Sequence, residues 1–498
     1  MSGFSGAVKI APDALDDFIA PSQDCVVALD GGGKLRLQDD DAAAAAAAVT
    51  GEVALNRRRK TTSEPSLVEP PTTFTPMSSG GRDGEALKVS LSDCLACSGC
   101  VTSAETVLLE QQSVDEFVAT TTRARADGLT IVASVSPQSV MSLSAAYGVS
   151  TEEARGRLSG LFKSAFGAAR VFDTSFSRDL ALVETYAEFS ERYGNVGTMS
   201  TPMVASACPG WVCYAEKTHG ELAVPLMART KSPQQIMGTF VKTAVARDLG
   251  VQPGQVYHVS VMPCYDKKLE ASRDDFVRDG VKDVDVVLTT GEVTALLEKA
   301  GLCHLRDAPA NALDTFKTIN ECAPESAHAA AAVSSSGGYA EYVFRRAAAE
   351  AFNAPVVGEI EWVKLRNADM REATLSVNGE VVLRVAVAYG FRNIQNLIRS
   401  VKLKKCKYHF VEVMACPSGC LNGGGQIPAR NGMSNKELID ALDEQYRTDS
   451  KLRPMTDVAA LYQDWIGGAP GSQNAREALR TNYHIRAKTV GVVQLNNW

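Results

Sequence analysis

His409-Phe410-Val411-Glu412-Val413-Met414 runs directly into Ala415-Cys416-Pro417-Ser418-Gly419-Cys420. The first six residues carry the β-branched and aromatic side chains of a strand. Pro417 and Gly419 then stop it. The pattern recurs twice. Met203-Val204-Ala205-Ser206 leads into Ala207-Cys208-Pro209-Gly210-Trp211, and Val256-Tyr257-His258-Val259-Ser260-Val261 leads into Met262-Pro263-Cys264. Further β-branched runs occur at Thr130-Ile131-Val132-Ala133-Ser134-Val135, Val284-Asp285-Val286-Val287-Leu288 and Leu383-Arg384-Val385-Ala386-Val387-Ala388. From about residue 128 these runs alternate with helical stretches, which predicts an α/β fold of parallel sheets flanked by helices.

In open α/β sheets, ligands bind at the carboxyl ends of strands. Three strand ends would deliver Cys208, Cys264, Cys416 and Cys420 to one rim. Four thiolates are the set that a cubane iron–sulfur cluster needs. The alternative is a set of buried free cysteines, which are common in cores. Downstream, Asn422-Gly423-Gly424-Gly425-Gln426 offers backbone amides for hydrogen bonds to cluster sulfur. His258 and His409 lie within strand patterns and read as core or edge residues rather than ligands.

A second thiol group lies upstream, in Cys94-Leu95-Ala96-Cys97-Ser98-Gly99-Cys100. Three cysteines at this spacing hold three corners of a cubane. Zinc is the rival reading, although structural zinc sites favour pairs of C-x2-C or added histidines. Ala104 and Glu105 stand where a two-cluster ferredoxin continues with Cys-Pro, so the fourth ligand must come from elsewhere. Cys25 is the candidate, being the only cysteine upstream.

The chain has 498 residues, with 45% hydrophobic and 22% charged content, as in globular proteins. A net charge of −7 argues against nucleic-acid binding, which usually shows a basic surplus. No apolar run reaches a membrane span, and Met1-Ser2-Gly3-Phe4 lacks the start of a signal peptide. The expected compartment is reducing, with the twelve cysteines as ligands or free thiols.

The expected organisation has three parts. Residues 1–127 form a small N-terminal cluster-binding segment. Within it, residues 31–90 read as a disordered linker, with seven alanines at 42–48 and much Pro, Ser and Thr. Its basic knot Arg57-Arg58-Arg59-Lys60 reads as a solvated charge run, a nuclear signal being the alternative. Residues 128–433 form the α/β core. Residues 434–498 form a peripheral helical segment, and its tail Asn496-Asn497-Trp498 offers an accessible aromatic anchor.

The motifs Ala207-Cys208-Pro209-Gly210-Trp211, Met262-Pro263-Cys264-Tyr265-Asp266-Lys267-Lys268-Leu269-Glu270 and Met414-Ala415-Cys416-Pro417-Ser418-Gly419-Cys420-Leu421-Asn422-Gly423-Gly424-Gly425-Gln426 resemble the three signatures of iron-only hydrogenases. The resemblance extends to Ser136-Pro137, Lys231-Ser232-Pro233-Gln234-Gln235 and Ser336-Gly337-Gly338. Phe4-Ser5-Gly6-Ala7, the Asp17-Phe18-Ile19-Ala20-Pro21-Ser22-Gln23 stretch before Cys25 and the single C-x2-C-x2-C are similar to the NARF-like branch, which comprises factors of cytosolic iron–sulfur protein assembly. This resemblance implies a hydrogenase-like fold and two 4Fe–4S clusters. One would be held by Cys25, Cys94, Cys97 and Cys100, the other by Cys208, Cys264, Cys416 and Cys420. It further implies a cytoplasmic factor, a nuclear pool being the alternative, that links an early cytosolic scaffold to a late targeting complex serving cytosolic and nuclear apoproteins, with Trp498 either a docking residue or folded back on the surface. Asn496 and Asn497 depart from the family's usual tail. An iron-only hydrogenase is the first alternative. Its first motif carries an adjacent cysteine that relays protons, where this chain has Ala207, whose methyl group cannot. Lys267 and Gln234 match hydrogenase positions that contact the di-iron ligands. The sister branch that binds a prenylated nuclear protein is the other alternative.

Overall fold

The β-branched runs form strands, and the prolines behind several of them start helices. The structure is a computed structural model that describes residues 111–194, 202–316, 320–321, 334–430, 432–452 and 455–486. It also describes four two-residue strands upstream, Val8–Lys9, Ala28–Leu29, Leu35–Arg36 and Lys88–Val89. Cys25, Cys94, Cys97, Cys100, Cys322, Trp498 and nearly all of segment 31–90 lie outside the described residues. By internal contacts the chain divides into Met1–Ala20 with Leu87–Trp498, and Pro21–Ala86. The α/β core belongs to the first unit.

In chain order, the core strands are β1 (Thr130–Val135), β2 (Arg170–Asp173), β3 (Met203–Ala205), β4 (Val256–Met262), β5 (Val286–Thr289), β6 (Val363–Lys364), β7 (Met370–Val377), β8 (Glu380–Tyr389) and β9 (Phe410–Met414). One sheet has the order β5-β4-β1-β2 and is parallel throughout. Its strands are buried almost end to end, as parallel strands covered on both faces must be. The other sheet has the order β6-β7-β8-β9-β3. Its β8, β9 and β3 are parallel, whereas β6 and β7 are antiparallel additions at one edge. This second sheet therefore carries an antiparallel edge beside its parallel strands. The cause is local: Asn378 and Gly379 take φ of 54° and 84°, the left-handed pair that a two-residue hairpin turn demands. Along β7 only Ala373 is fully buried, as suits an antiparallel edge with one wet face.

The helices used below are α1 (Pro137–Tyr147), α2 (Thr151–Phe166), α3 (Ser175–Gly194), α4 (Pro209–Ala223), α5 (Pro233–Phe240), α6 (Asp266–Ala271), α7 (Asn435–Leu452) and α8 (Gln473–Leu479). Ser136 caps α1 and Ser232 caps α5, each followed by Pro at the first helical position, where a missing N–H costs nothing. Cys208-Pro209 starts α4 in the same way. The thiol thus occupies the position that a capping serine holds elsewhere. Each sheet has its own core. Trp211, Phe240, Phe410 and Val413 pack around the mixed sheet, while Phe117, Phe162, Val259 and Leu288 pack around the parallel one.

The C-terminal segment is helical, as its pattern indicates, and less peripheral than the sequence implies. Leu461, Tyr462, Ala475 and Leu479 belong to the mixed-sheet core. Helix α7 sets Leu442 and Tyr446 against Met141 and Leu421. It is pinned by the buried Arg155 of α2, which donates to both carboxylate oxygens of Asp449 at 3.0 and 2.5 Å. Among the described residues no helix is long and apolar enough to cross a membrane.

His258, on β4, is fully buried and satisfied by Ser134 Oγ at 2.9 Å and the Asp283 carbonyl at 3.1 Å. Burial lowers its pKa to about 3. The unfolded chain therefore binds a proton that the native chain refuses between its ordinary value near 6.5 and that lower value. Stability is full above the unfolded value and falls as pH drops towards 3, by on the order of 4 kcal/mol from this residue alone. Urea titrations at neutral and acidic pH should show a shallower acid dependence for His258→Gln than for the wild type. Equal slopes would mean that His258 does not control this part of the acid response.

Candidate metal centre

The three strand-end loops meet in the seam between the sheets. Cys208 follows β3, and Cys416 and Cys420 follow β9 of the mixed sheet, whereas Cys264 follows β4 of the parallel sheet. Cys208 is buried, and the other three are half-buried. The Cys208 Sγ accepts a hydrogen bond from the Ala415 N–H at 3.5 Å. Ser206 fixes this arrangement: its hydroxyl donates to the Val413 carbonyl at 2.5 Å and accepts from the Cys208 N–H at 3.1 Å. The exit of β3 is thereby tied to the end of β9.

The thiols also feel one another. Burial is the largest cause raising each pKa, and neighbouring acids or thiols come next. Cys264 is pushed well up, with Asp266, Cys208 and Cys420 contributing. Cys416 is pushed well up, with contributions from Cys208, Cys264 and Cys420. Cys420 is pushed up to about 12, with Cys208 as the next cause. Four thiols in mutual electrostatic reach in a low-dielectric seam hold their protons unless a cation compensates them. The sulfurs do not close on one ion. Among the described residues no three His, Cys, Asp or Glu side chains form a single-ion site, whereas zinc would draw sulfurs to about 2.3 Å from one point. A donor set of four soft thiols suits an iron–sulfur centre.

The loop from Cys416 to Gln426 is shaped by close approaches. Ser418 and Gly419 take consecutive left-handed conformations, with φ of 57° and 79°. A Cβ at Gly419 would run into Ser336 Oγ, the atom that accepts from the Cys420 N–H at 2.9 Å. A Cβ at Gly423 would run into the Pro263 carbonyl, and one at Gly425 would lie 2.8 Å from Thr289 Cβ and 3.1 Å from Cys264 Cα. Two of the amides anticipated as donors to sulfur have other acceptors. Gly423 N–H donates to the Cys420 carbonyl at 3.1 Å and Gly425 N–H to the Pro263 carbonyl at 2.9 Å. Close packing against the Cys264 loop is what these two glycines provide.

Charged groups around the centre are paired. Lys267 and Glu270 form a buried ion pair at 2.8 Å. Ser232 donates to Glu270 at 2.5 Å, and Gln234 Nε2 donates to the Lys267 carbonyl at 3.1 Å. Asp266 lies over Gly210, where a Cβ would be 2.8 Å from Oδ2. Burial raises its pKa to about 6 against the opposing charge of Lys267. Beside Ala207 lies a cavity of about 20 Å3, lined by Ser206, Ala207, Cys213, Ser232, Arg273 and Tyr483. Such a volume holds roughly one water. Ser206, Ser336 and Glu412 were not among the residues expected at the site. Glu412, buried on β9, accepts from Tyr389 Oη at 2.8 Å and the Ala340 N–H at 2.9 Å. A lone acid inside an apolar strand run was its signal, as Ser336-Gly337-Gly338 was for Ser336.

Residues 129–424 match the family described as iron only hydrogenase large subunit, C-terminal domain. Across nearly its full length the chain is 43% identical to the protein called Protein NAR1 in Arabidopsis thaliana, over 97% of each chain. It is also 43% identical to the cytosolic Fe-S cluster assembly factor narfl of Xenopus tropicalis and to cytosolic iron-sulfur assembly component 3 of Mus musculus, each over 98% of both chains. Among solved structures, a variant of the FeFe-hydrogenase HydA1 from Chlamydomonas reinhardtii matches with a TM-score of 0.62 at 24% identity, over 75% of this chain and 98% of that one. At that identity the likeness concerns the fold.

The packing role of the glycines has a direct test. Gly425→Ala and Gly423→Ala should each lower stability by about 1–3 kcal/mol through overpacking. Gly424→Ala should be nearly neutral, because a Cβ there meets nothing within 4 Å. Thermal melts of the three variants check this, and a loss at Gly424 equal to the other two would contradict it.

Proposed function

The chain belongs to the hydrogenase-like family of cytosolic iron–sulfur cluster assembly factors, and from that membership we propose that it carries two 4Fe–4S clusters and passes iron–sulfur units towards cytosolic and nuclear apoproteins. The observation that carries this reading is the meeting of Cys208, Cys264, Cys416 and Cys420 in the seam. In this reading the strand-end quartet holds a largely structural cluster. Cys25, Cys94, Cys97 and Cys100 hold a second one, whose fourth ligand is separated from the other three by segment 31–90. Closing so long a loop costs entropy, which makes that cluster the more exchangeable. A bound cubane supplies one-electron redox chemistry and a transferable iron–sulfur unit. The protein's residues orient the sulfurs, exclude water and keep neighbouring charges neutralised.

A factor, rather than a hydrogenase, is the reading that the site residues support. Ala207 cannot relay a proton. Lys267 is paired with Glu270 rather than free to meet a ligand, and the adjoining cavity holds roughly one water. The partners of this reading are an early cytosolic scaffold and a late targeting complex, with Trp498 as the residue through which the latter docks.

Complementation of cells lacking their own factor tests the proposal. Cys97→Ala should fail to complement while melting like the wild type. Cys416→Ala should fail and melt lower. During chelation the N-terminal cluster should bleach first. Complementation by Cys97→Ala would remove the essential first cluster from the account. Hydrogen evolution from reduced viologen would restore the hydrogenase reading.

A further inference from the structure

The segment after α8 does not leave the molecule at once. It crosses the mouth of the cavity beside the Cys208 loop. Its root is rigid: Arg480 is buried and paired with Glu184 at 2.7 Å and Glu191 at 2.9 Å. Next to that root, the Lys231 N–H donates to the Leu479 carbonyl at 2.8 Å and the Thr481 N–H to the Arg229 carbonyl at 2.7 Å. Arg229 Nη2 also reaches Asn482 Oδ1 at 2.7 Å. Beyond this point the hold becomes sparse. Tyr483 turns inward and lines the cavity with Ala207 and Cys213. Asn482, His484, Ile485 and Arg486 are exposed.

Among the described residues, most of the remaining hold is on one residue. The His484 N–H donates to Glu216 Oε1 at 3.0 Å, the Arg486 N–H to the Glu216 carbonyl at 3.2 Å, and Arg486 Nε lies 3.3 Å from Glu216 Oε2. His484 Nε2 adds a contact with Asp275 Oδ1 at 2.6 Å. Ile485 rests on Gly220, where a Cβ would come within 2.8 Å of its Cγ2. Glu216 does not depend on these contacts, because Arg273 already grips both its oxygens at 2.7 and 2.9 Å. Release of the segment therefore leaves no buried charge unpaired, which is the costly outcome. On the far wall, the Ser232–Glu270–Lys267 chain uses none of the segment's atoms, so the cavity keeps its walls. Few buried contacts and solvent-exposed hydrogen bonds are the marks of a locally opening element.

We propose that residues 481–486 are a displaceable strap, with Tyr483 as the stopper of the cavity beside Cys208 and Glu216 as the catch. When the strap lifts, the space of a phenol side chain opens next to Ala207, and Cys213, half-buried beneath it, becomes more exposed. Its consequence for the strand-end cluster, faster attack by chelators and oxidants from this side, rests on the cluster reading above. The strap itself does not.

Thiol labelling separates the two. The full-length protein, purified anaerobically, is treated with N-ethylmaleimide, and modification of Cys213 is followed by mass spectrometry against the exposed Cys303. In the wild type Cys213 should react well below the rate of Cys303. Tyr483→Ala should raise the Cys213 rate by about tenfold or more, and the double variant His484→Ala with Arg486→Ala, which removes the side-chain contacts to Asp275 and Glu216 Oε2 and leaves the two backbone bonds to Glu216, should raise it by about threefold or more, both by shifting the local opening equilibrium. The Cys303 rate should stay constant, and Tyr483→Phe should behave as the wild type. If Tyr483→Ala exposes core thiols by unfolding, the double variant decides, since it alters only exposed side chains. Wild-type Cys213 reacting as fast as Cys303, or unchanged Cys213 rates in the double variant, would overturn the strap. Bleaching by EDTA read on the same samples tests the consequence. Absence of a strand-end cluster would remove that signal and leave the Cys213 result standing.

Discussion

Everything at the candidate centre depends on how closely the backbone after Cys420 lies on the loop that carries Cys264. The four thiols come from two different sheets, each with its own hydrophobic core, and no covalent bond sets the distance between those sheets. What sets it is backbone packing at the seam. Residues 423 and 425 press against Pro263, Cys264 and Thr289 at distances that leave no room for a Cβ. Gly425 then closes the contact on both sides, donating to the Pro263 carbonyl and accepting from the Gly291 N–H at 2.8 Å. Glycine is the residue that permits such an approach. With that contact in place, the ends of β4 and β9 are registered, and Cys264 faces the thiols of the mixed sheet.

The second constraint is electrostatic. A seam that brings one buried and three half-buried thiols together raises their pKa values, because desolvation and the neighbouring sulfurs both oppose ionisation. Among the described residues, the nearby cations Lys267 and Arg273 are held by Glu270 and Glu216. The site is thus suited to a group that brings its own positive charge, and iron in a cubane does so. Beside the site the Ala207 methyl group faces a small cavity that is lined in part by the chain's own Tyr483.

Much of this was legible in the sequence. The β-branched runs marked β1, β3, β4, β5, β8 and β9, and the Pro or Gly beside each strand-end cysteine marked where those strands stop. The convergence of Cys208, Cys264, Cys416 and Cys420 followed from one topological rule about strand ends. The antiparallel edge was missed although Asn378-Gly379 is a strong hairpin signal, because the polar alternation of β7 did not resemble the apolar runs sought. β2, with only Arg170–Asp173, was too short to register. The burial of Leu461, Tyr462 and Leu479 was hidden because their helical marks are brief and the surrounding sequence is polar. The strap was not legible at all, since Glu216, Arg273 and Tyr483 are far apart in sequence and nothing local pairs them.

The central claim is that the strand-end thiols by themselves hold one four-iron cluster. The most direct measurement removes the other group from the full-length chain. Iron and acid-labile sulfide are counted, and electron paramagnetic resonance of the reduced protein recorded, in the triple variant Cys94→Ala, Cys97→Ala, Cys100→Ala purified without oxygen. The account predicts about four iron and four sulfide per chain with a cubane-type signal, against about eight of each in the wild type. A variant that folds but holds no iron, or holds zinc without sulfide, would contradict it.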